Sequence, residues 1–325
     1  MSTHEHEAGD ALLGQAALDP SSRLIIEEAR RRDIAVDVLA PRAEYFRLRH
    51  AGRSIVCRES LSELTTAVAM SRCDDKRTTA RLMREAGLRT PEQVEAKSDT
   101  VNETFLRELG SLVVKPARGE QGRGISVGVR TPEALHAAVE RAAEVSRPVL
   151  LEEVVQGEDL RLIVIGHELV AAAVRRPPCV SGDGKQTLRA LIEAQSKRRQ
   201  AETHGESKIP LDAETRRCLQ DAGFGLDDVL PAGRTIMVRG AANLHQGGTI
   251  HDVTHELHPT LSDVAKRASR AIDIPVVGID LIVRSVREPD YWIIEANERP
   301  GLANHEPQPT AERFVDLLFP ETKRR

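Results

Sequence analysis

A lysine at the end of an apolar run, followed by spaced glycines, can hold phosphate, and residues 114–124 read VKPARGEQGRG. Lys115 offers one cation. Gly119, Gly122 and Gly124, with Gln121 among them, let backbone N–H groups close over an anion because no side chain stands in the way. The stretch is neither GxxxxGK[ST] nor a GxGxxG that opens a helix, so P-loop and dinucleotide-binding readings fail on context. Taken alone, it is also what an ordinary Gly-rich hairpin looks like.

Two later runs carry oxygen donors: Asp280 in GID, then Glu295 and Asn297 in IEANERP. Residues two apart on a strand face the same way, so adjacent strands would gather all three on one sheet face. Such a hard donor set suits Mg²⁺, which keeps waters and takes further ligands from substrate phosphates. Either acid alone reads as a solvated carboxylate; beside a phosphate loop, the metal reading gains. In VLLEEVVQGEDLR (149–161), backbone groups near Glu153 and Val155, with Glu152 beside them, could pair with an adenine edge, and Asp159 could accept from ribose hydroxyls. Such a hinge has many accidental matches, and its weight comes from its order among the motifs. In RGAANLHQGGT (239–249), Arg239 could hold the charge of a transferring phosphoryl group, with Asn243 and the Gly247-Gly248 pair allowing close approach. A surface arginine before a turn is the alternative.

Other clusters read as bland. His251, His255 and His258 have no HExxH context, so zinc is not expected. The run Lys197-Arg198-Arg199 reads as a solvated helix face. Cys57, Cys73, Cys179 and Cys218 stand far apart without a CxxC pair, so free thiols are expected.

The elements that must position these residues alternate between helix and strand. A flexible lead-in is expected over 1–20, then a short α/β unit over 21–72 with a helix over 22–34 and a strand over 35–39. The main domain is expected over 73–325, with a lid subdomain at about 100–155 and a core at about 156–320. A helix is expected over 73–87, a β-hairpin about the Gly-rich loop, a helix over 131–145 and a tight turn at Gly166-His167. A charged helical insert follows over 187–225, then strands near 235–239 and 249–253, a helix over 259–272, and strands over 276–283 and 291–296. The order is α+β with antiparallel sheets, against a doubly wound parallel sheet.

Forty-six Lys and Arg against 50 Asp and Glu leave the 325-residue chain at a net charge of −4, which argues against a general nucleic-acid binder. The start, MSTHEHEAGD, lacks the basic and apolar regions of a secretory signal, and no apolar run approaches the roughly 18 residues needed to cross a bilayer. A cytoplasmic protein away from membranes is the expectation.

Lys76 in CDDK, Lys115 in VVKP, RGEQGRG, LEEVVQGED, RxxxN…GG, GID and IEAN follow one another in an order that resembles the ATP-grasp carboxylate–amine ligases over about residues 22–320. KPARGEQGRG, VSGDGKQTLRALIE and RGAANLHQGGTIHDVT look like the branch holding cyanophycin synthetase and the ligase half of bifunctional glutathione synthetase. The tail ERPGLANHEPQPTAERFVDLLFP looks most like N-acetylglutaminylglutamine synthetase, where an acetyltransferase domain usually precedes the ligase; none is expected here, which leaves a separate ligase subunit or part of a longer protein.

The resemblance implies an ATP-grasp fold of two α+β subdomains clasping ATP. Lys76 and Lys115 would neutralise the α- and β-phosphates, and Mg²⁺ on Asp280, Glu295 and Asn297, as two ions or with Mn²⁺ in its place, would reach the γ-phosphate. The implied reaction is ADP-forming amide synthesis through an acyl phosphate, with N-acetylglutaminylglutamine the expected product. Cyanophycin- or glutathione-type ligation, and a nucleotide-binding regulator without turnover, are the alternatives. Arg161 and Arg176 are candidates to hold substrate carboxylates. Expected partners are amino-acid or N-acyl amino-acid substrates, with a separate acetyltransferase or amidotransferase and a homodimer left open, and no nucleic acid or membrane.

Overall fold

The computed structural model describes residues 18–40, 43–119, 122–203, 205, 207–240, 242 and 244–323. It divides into two compact units, Met1–Ala173 with Asp252–Arg325, and Val174–His251.

The first unit opens with helix α1 (Pro20–Arg31), which starts two residues earlier than expected. Asp19 caps it by accepting from the Ser21 amide at 2.7 Å, with Pro20 filling the first turn, where no backbone donor is needed. Strands β1 (Ala35–Ala40), β2 (Tyr45–His50), β3 (Arg53–Arg58) and β4 (Leu61–Ser62) then form a sheet in that order. The last three lie outside the sequence expectations. Phe46 and Leu48 of β2 alternate with outward Arg47 and Arg49, and Ile55 and Cys57 of β3 with Ser54, Val56 and Arg58, so mixed outward residues hide the period. This sheet shares one core with Phe314, Val315 and Leu318 of the C-terminal helix. Buried Arg32, just past α1, links that helix to the C-terminal one, pairing with Glu28 and Asp316 at 2.6 Å each.

The helix expected over 73–87 is two: α2 (Ala67–Asp74) and α3 (Lys76–Glu85). Asp75 between them is extended, and its carboxylate caps α3 by accepting from the Arg77 amide. The break fixes Lys76 at the first position of a helix.

A four-stranded sheet follows from β5 (Gln93–Glu95), helix α4 (Asp99–Leu109), β6 (Leu112–Pro116), β7 (Ser126–Val129), α5 (Pro132–Val145) and β8 (Val149–Glu153), in the order β5-β8-β6-β7. Strands β6 and β7 pair antiparallel about the Gly-rich loop, as expected. Thr131 caps α5, and Leu135, Ala138 and Ala142 pack on Leu112, Val114 and Leu151.

Strands β9 (Glu158–Ile165) and β10 (Glu168–Arg176) form a hairpin whose turn residues, Gly166 and His167, both have positive φ. Strand β10 carries the chain into the second unit. There β11 (Cys179–Ser181), α6 (Leu188–Glu202), α7 (Ala213–Asp221) and β12 (Thr235–Met237) surround a core of Val180, Leu188, Ile192, Ile209, Leu219 and Ile236. The chain returns through β13 (Thr249–Asp252), then forms α8 (Pro259–Ile272), β14 (Val276–Val283), β15 (Tyr291–Asn297) and α9 (Thr310–Leu318). The central sheet has the order β13-β10-β9-β14-β15, with β14 antiparallel to both neighbours. Among the described residues, no helix is long and apolar enough to cross a membrane.

Candidate active site

Strand register builds the acid cluster. Asp280 on β14 lies opposite Glu295 on β15, and Gly278 lies opposite Asn297, so the three donors gather across adjacent strands. The Asn297 amide donates to Asp280 Oδ2 at 3.4 Å. Desolvation, then the Asp280 charge, pushes the Glu295 carboxyl above the usual carboxylate range, while Lys76 and Arg161 pull against it. On the other flank, Arg161 of β9 is the direct partner of Asp280. Its Nε donates to Oδ1 and its Nη2 to Oδ2 at 2.8 Å, a bidentate grip.

Two lysines stand in the same unit. Lys76, 8% exposed, donates from Nζ to the Gly119 carbonyl at 2.8 Å and lies 3.8 Å from Glu295 Oε2. Its amide donates to the Ala117 carbonyl. One residue thus ties the Gly-rich loop to the acid cluster. Lys115, 2% exposed at the end of β6, pairs with Glu152 of β8 at 2.7 Å, and Gln93 donates to the other Glu152 oxygen at 2.7 Å. The Glu152 side chain is therefore held by Lys115 and Gln93. Glu153 accepts from the Glu92 amide; Val155 follows the end of β8, and Asp159 opens into β9. Gln121 and Asn243 lie outside the described residues.

Gly124 ends the loop at a φ of 71°, where a Cβ would come within 2.9 Å of Val145 Cγ2 and 3.3 Å of the Ala142 backbone. Gly122 has a similar φ of 75° with nothing within 4 Å. Gly122→Ala should therefore cost only backbone strain, about 1 kcal/mol, and Gly124→Ala strain plus a clash, about 2–3 kcal/mol. Urea unfolding of the two variants checks the order; equal losses would mean that the loop does not seat on α5.

In the second unit, Arg239 is buried, with Nη1 donating to Asp212 at 2.7 Å and to Thr215 at 2.9 Å, and Nε donating to Gln246. Gly247 packs against Ile209, and the Gly248 carbonyl accepts from Arg199. Arg176 ends β10, near enough to His251 for its charge, after burial, to lower that imidazole. His258 caps α8 through Nδ1, and His251 bonds Thr249, so these two histidines have local partners. All four cysteines are free.

Sequence reasoning missed Gln93, Asp75 and Gly278. Gln93 acts through a contact between separate strands, whereas Asp75 is a local cap, and an Asp just before a helical run is a readable cap signal. Gly278 allows close approach: a Cβ there would stand 3.2 Å from both Arg161 Cδ and Pro300 Cβ.

The acid cluster fits a hard divalent cation by donor chemistry, being two carboxylates and an amide next to a cationic loop. Among the described residues, no three His, Cys, Asp or Glu gather for a metal.

Residues 82–222 match the family described as D-ala D-ala ligase C-terminus. The chain is 31% identical over 320 residues to cyanophycin synthetase of Trichormus variabilis, covering 94% of this chain and 35% of that protein. It is 27% identical over 330 residues to the glutathione biosynthesis bifunctional protein GshAB of Clostridium perfringens, covering 95% and 42%. It thus spans well under half the length of these curated relatives. Its fold matches a bifunctional glutathione synthetase from Pasteurella multocida at a TM-score of 0.67 and 21% identity, over 94% of this chain and 44% of that one. D-alanine–D-alanine ligase from Bacillus anthracis aligns at 0.50 and 13% identity, over 80% and 71%. The antiparallel α+β architecture is accordingly the ATP-grasp fold. Over nearly its whole length the chain is thus similar to part of cyanophycin synthetase and part of GshAB, on an ATP-grasp fold.

Proposed function

We propose that the protein joins a carboxylate to an amine with ATP, releasing ADP and phosphate, and that the donor is an N-acylated glutamine and the acceptor free glutamine. The observation that carries the ligase reading is Lys76, whose ammonium joins the Gly-rich loop to the Asp280–Glu295 cluster.

A carboxylate resists an amine because its carbonyl is electron-rich and oxide leaves poorly. In this reading, Lys76 and Lys115 meet the α- and β-phosphates, the loop with Gly119, Gly122 and Gly124 closes over them, and the hinge from Glu152 to Val155 borders the adenine. Asp280, Glu295 and Asn297 would hold Mg²⁺, whose charge would offset that of the phosphates. A substrate carboxylate oxygen attacks the γ-phosphorus and the bond to the β–γ bridging oxygen breaks, giving an acyl phosphate and ADP. The amine then attacks the acyl carbon, phosphate leaves, and the amine's extra proton passes to solvent. Arg239 is assigned the transferring phosphoryl group, and Arg176 a substrate carboxylate. Catalysis of this kind is positioning plus electrostatics, and a closed loop protects the acyl phosphate from water.

The donor assignment rests on the tail over 299–319 and on composition. Aromatic content is 2%, little material for a large stacking pocket, so a small polar donor fits. An N-acyl group also removes the donor's positive charge, and a site shaped for a neutral amide rejects a free ammonium because burying it unpaired costs several kcal/mol.

ADP release measured with ATP, Mg²⁺ and a panel of amino acids and N-acyl amino acids is expected to require N-acetylglutamine with glutamine. Growth of a multi-residue polymer, or turnover with γ-glutamylcysteine and glycine instead, moves the protein to the cyanophycin or glutathione type. No ADP release with any pair would leave a nucleotide-binding protein without turnover.

A further inference from the structure

We propose that Arg161 is an internal counter-ion that stands in for the divalent cation at Asp280 and sets how tightly the acid cluster takes that cation up; this rests on the reading of Asp280 and Glu295 as cation ligands. Asp280 sits between two strand partners of opposite sign, Arg161 on β9 and Glu295 on β15. Two carboxylates opposed across a strand pair repel.

The guanidinium relieves it. It covers Oδ1 and Oδ2 of Asp280 with a planar fork. The pair is shielded from water, with the Arg161 side chain 17% exposed and that of Asp280 5%. Gly278 leaves the space through which the Arg161 stem reaches Asp280, since a Cβ there would stand 3.2 Å from Arg161 Cδ.

A cation arriving at Asp280 therefore meets oxygens already engaged and a fixed positive charge beside them. Both effects oppose its binding. An arginine that merely oriented Asp280 for a metal would do the reverse, and its loss would weaken binding. The sign of one affinity change separates the two roles. Under the counter-ion role, the nucleotide-free protein takes up cation weakly, and nucleotide phosphates supply the negative charge that lets it stay.

The test uses Mn²⁺ as probe on the nucleotide-free full chain, following the free-ion electron-spin signal and heat unfolding with and without Mn²⁺. Arg161→Met should bind Mn²⁺ at least about tenfold more tightly than the unsubstituted protein and gain a larger Mn²⁺-dependent rise in Tm. Arg161→Lys, which keeps the charge and loses the fork, should fall between them and decides the matter should the Met variant fail to fold. Asp280→Asn should weaken binding in the same assay. Unchanged or weaker Mn²⁺ binding in the Arg161 variants, with Asp280→Asn still weakened, overturns the counter-ion role and leaves the cation site standing. Unchanged binding in Asp280→Asn removes the cation site, and the proposal with it.

Discussion

Glu295→Gln is expected to lower ligation by about 10²–10³ at saturating ATP and Mg²⁺ while the nucleotide-free protein becomes at least as heat-stable as before. The carboxylate stands opposite Asp280 and near Lys76, at the cluster assigned to the cation, and the amide keeps its shape while losing its charge. The stability half of the expectation follows from the sign of the titration. The folded protein holds the Glu295 carboxyl above its unfolded value, so the proton is bound more tightly in the folded state. That contribution is fully present below the unfolded pKa and is lost as pH rises through the folded one. Near neutrality the ionised carboxylate is thus a liability in the cation-free fold, and a neutral amide removes it. Asn297→Ala should likewise lose ligation without unfolding. Retention of a tenth of the activity by either variant, measured as ADP release with added Mg²⁺, would sink the metal assignment.

What was legible in the sequence was what repeats locally. The helix over 259–272 and the strand over 276–283 have sharp apolar periods and match the structure residue for residue. The Gly-rich hairpin was readable because a lysine-terminated strand and a second strand flank it. The register of Asp280 with Glu295 followed from two adjacent strands and the period of two. By contrast, β2 and β3 stayed hidden because arginines stand among their outward positions and Val56 adds an apolar one, and the split between α2 and α3 depends on one extended residue, Asp75, inside a stretch of uniform helical spacing. Pairings between strands far apart in the sequence could not be read. Nothing in VLLEE says that Glu152 meets Lys115, or that Gln93, 59 residues away, completes its coordination.

That buried pair yields the second large effect. Lys115→Met strands the Glu152 carboxylate, whose surroundings are 4% exposed and whose other partner is the neutral amide of Gln93. Leaving one member of a buried ion pair uncompensated costs about 3–5 kcal/mol. The single variant should therefore lose both stability and ligation, and its kinetics alone would not separate a catalytic lysine from a structural one. The double variant Lys115→Met/Glu152→Met separates them. Replacing both charges by apolar groups of similar size is commonly neutral or stabilising, so the urea midpoint should return most of the way to that of the starting protein. Ligation should not return, because a lysine assigned to the nucleotide phosphates is still missing and its charge is worth about 10²–10³ in rate. Recovery of ADP release together with stability would make Lys115 a structural partner of Glu152. Full stability of the single variant would show instead that the pair is open to water in solution.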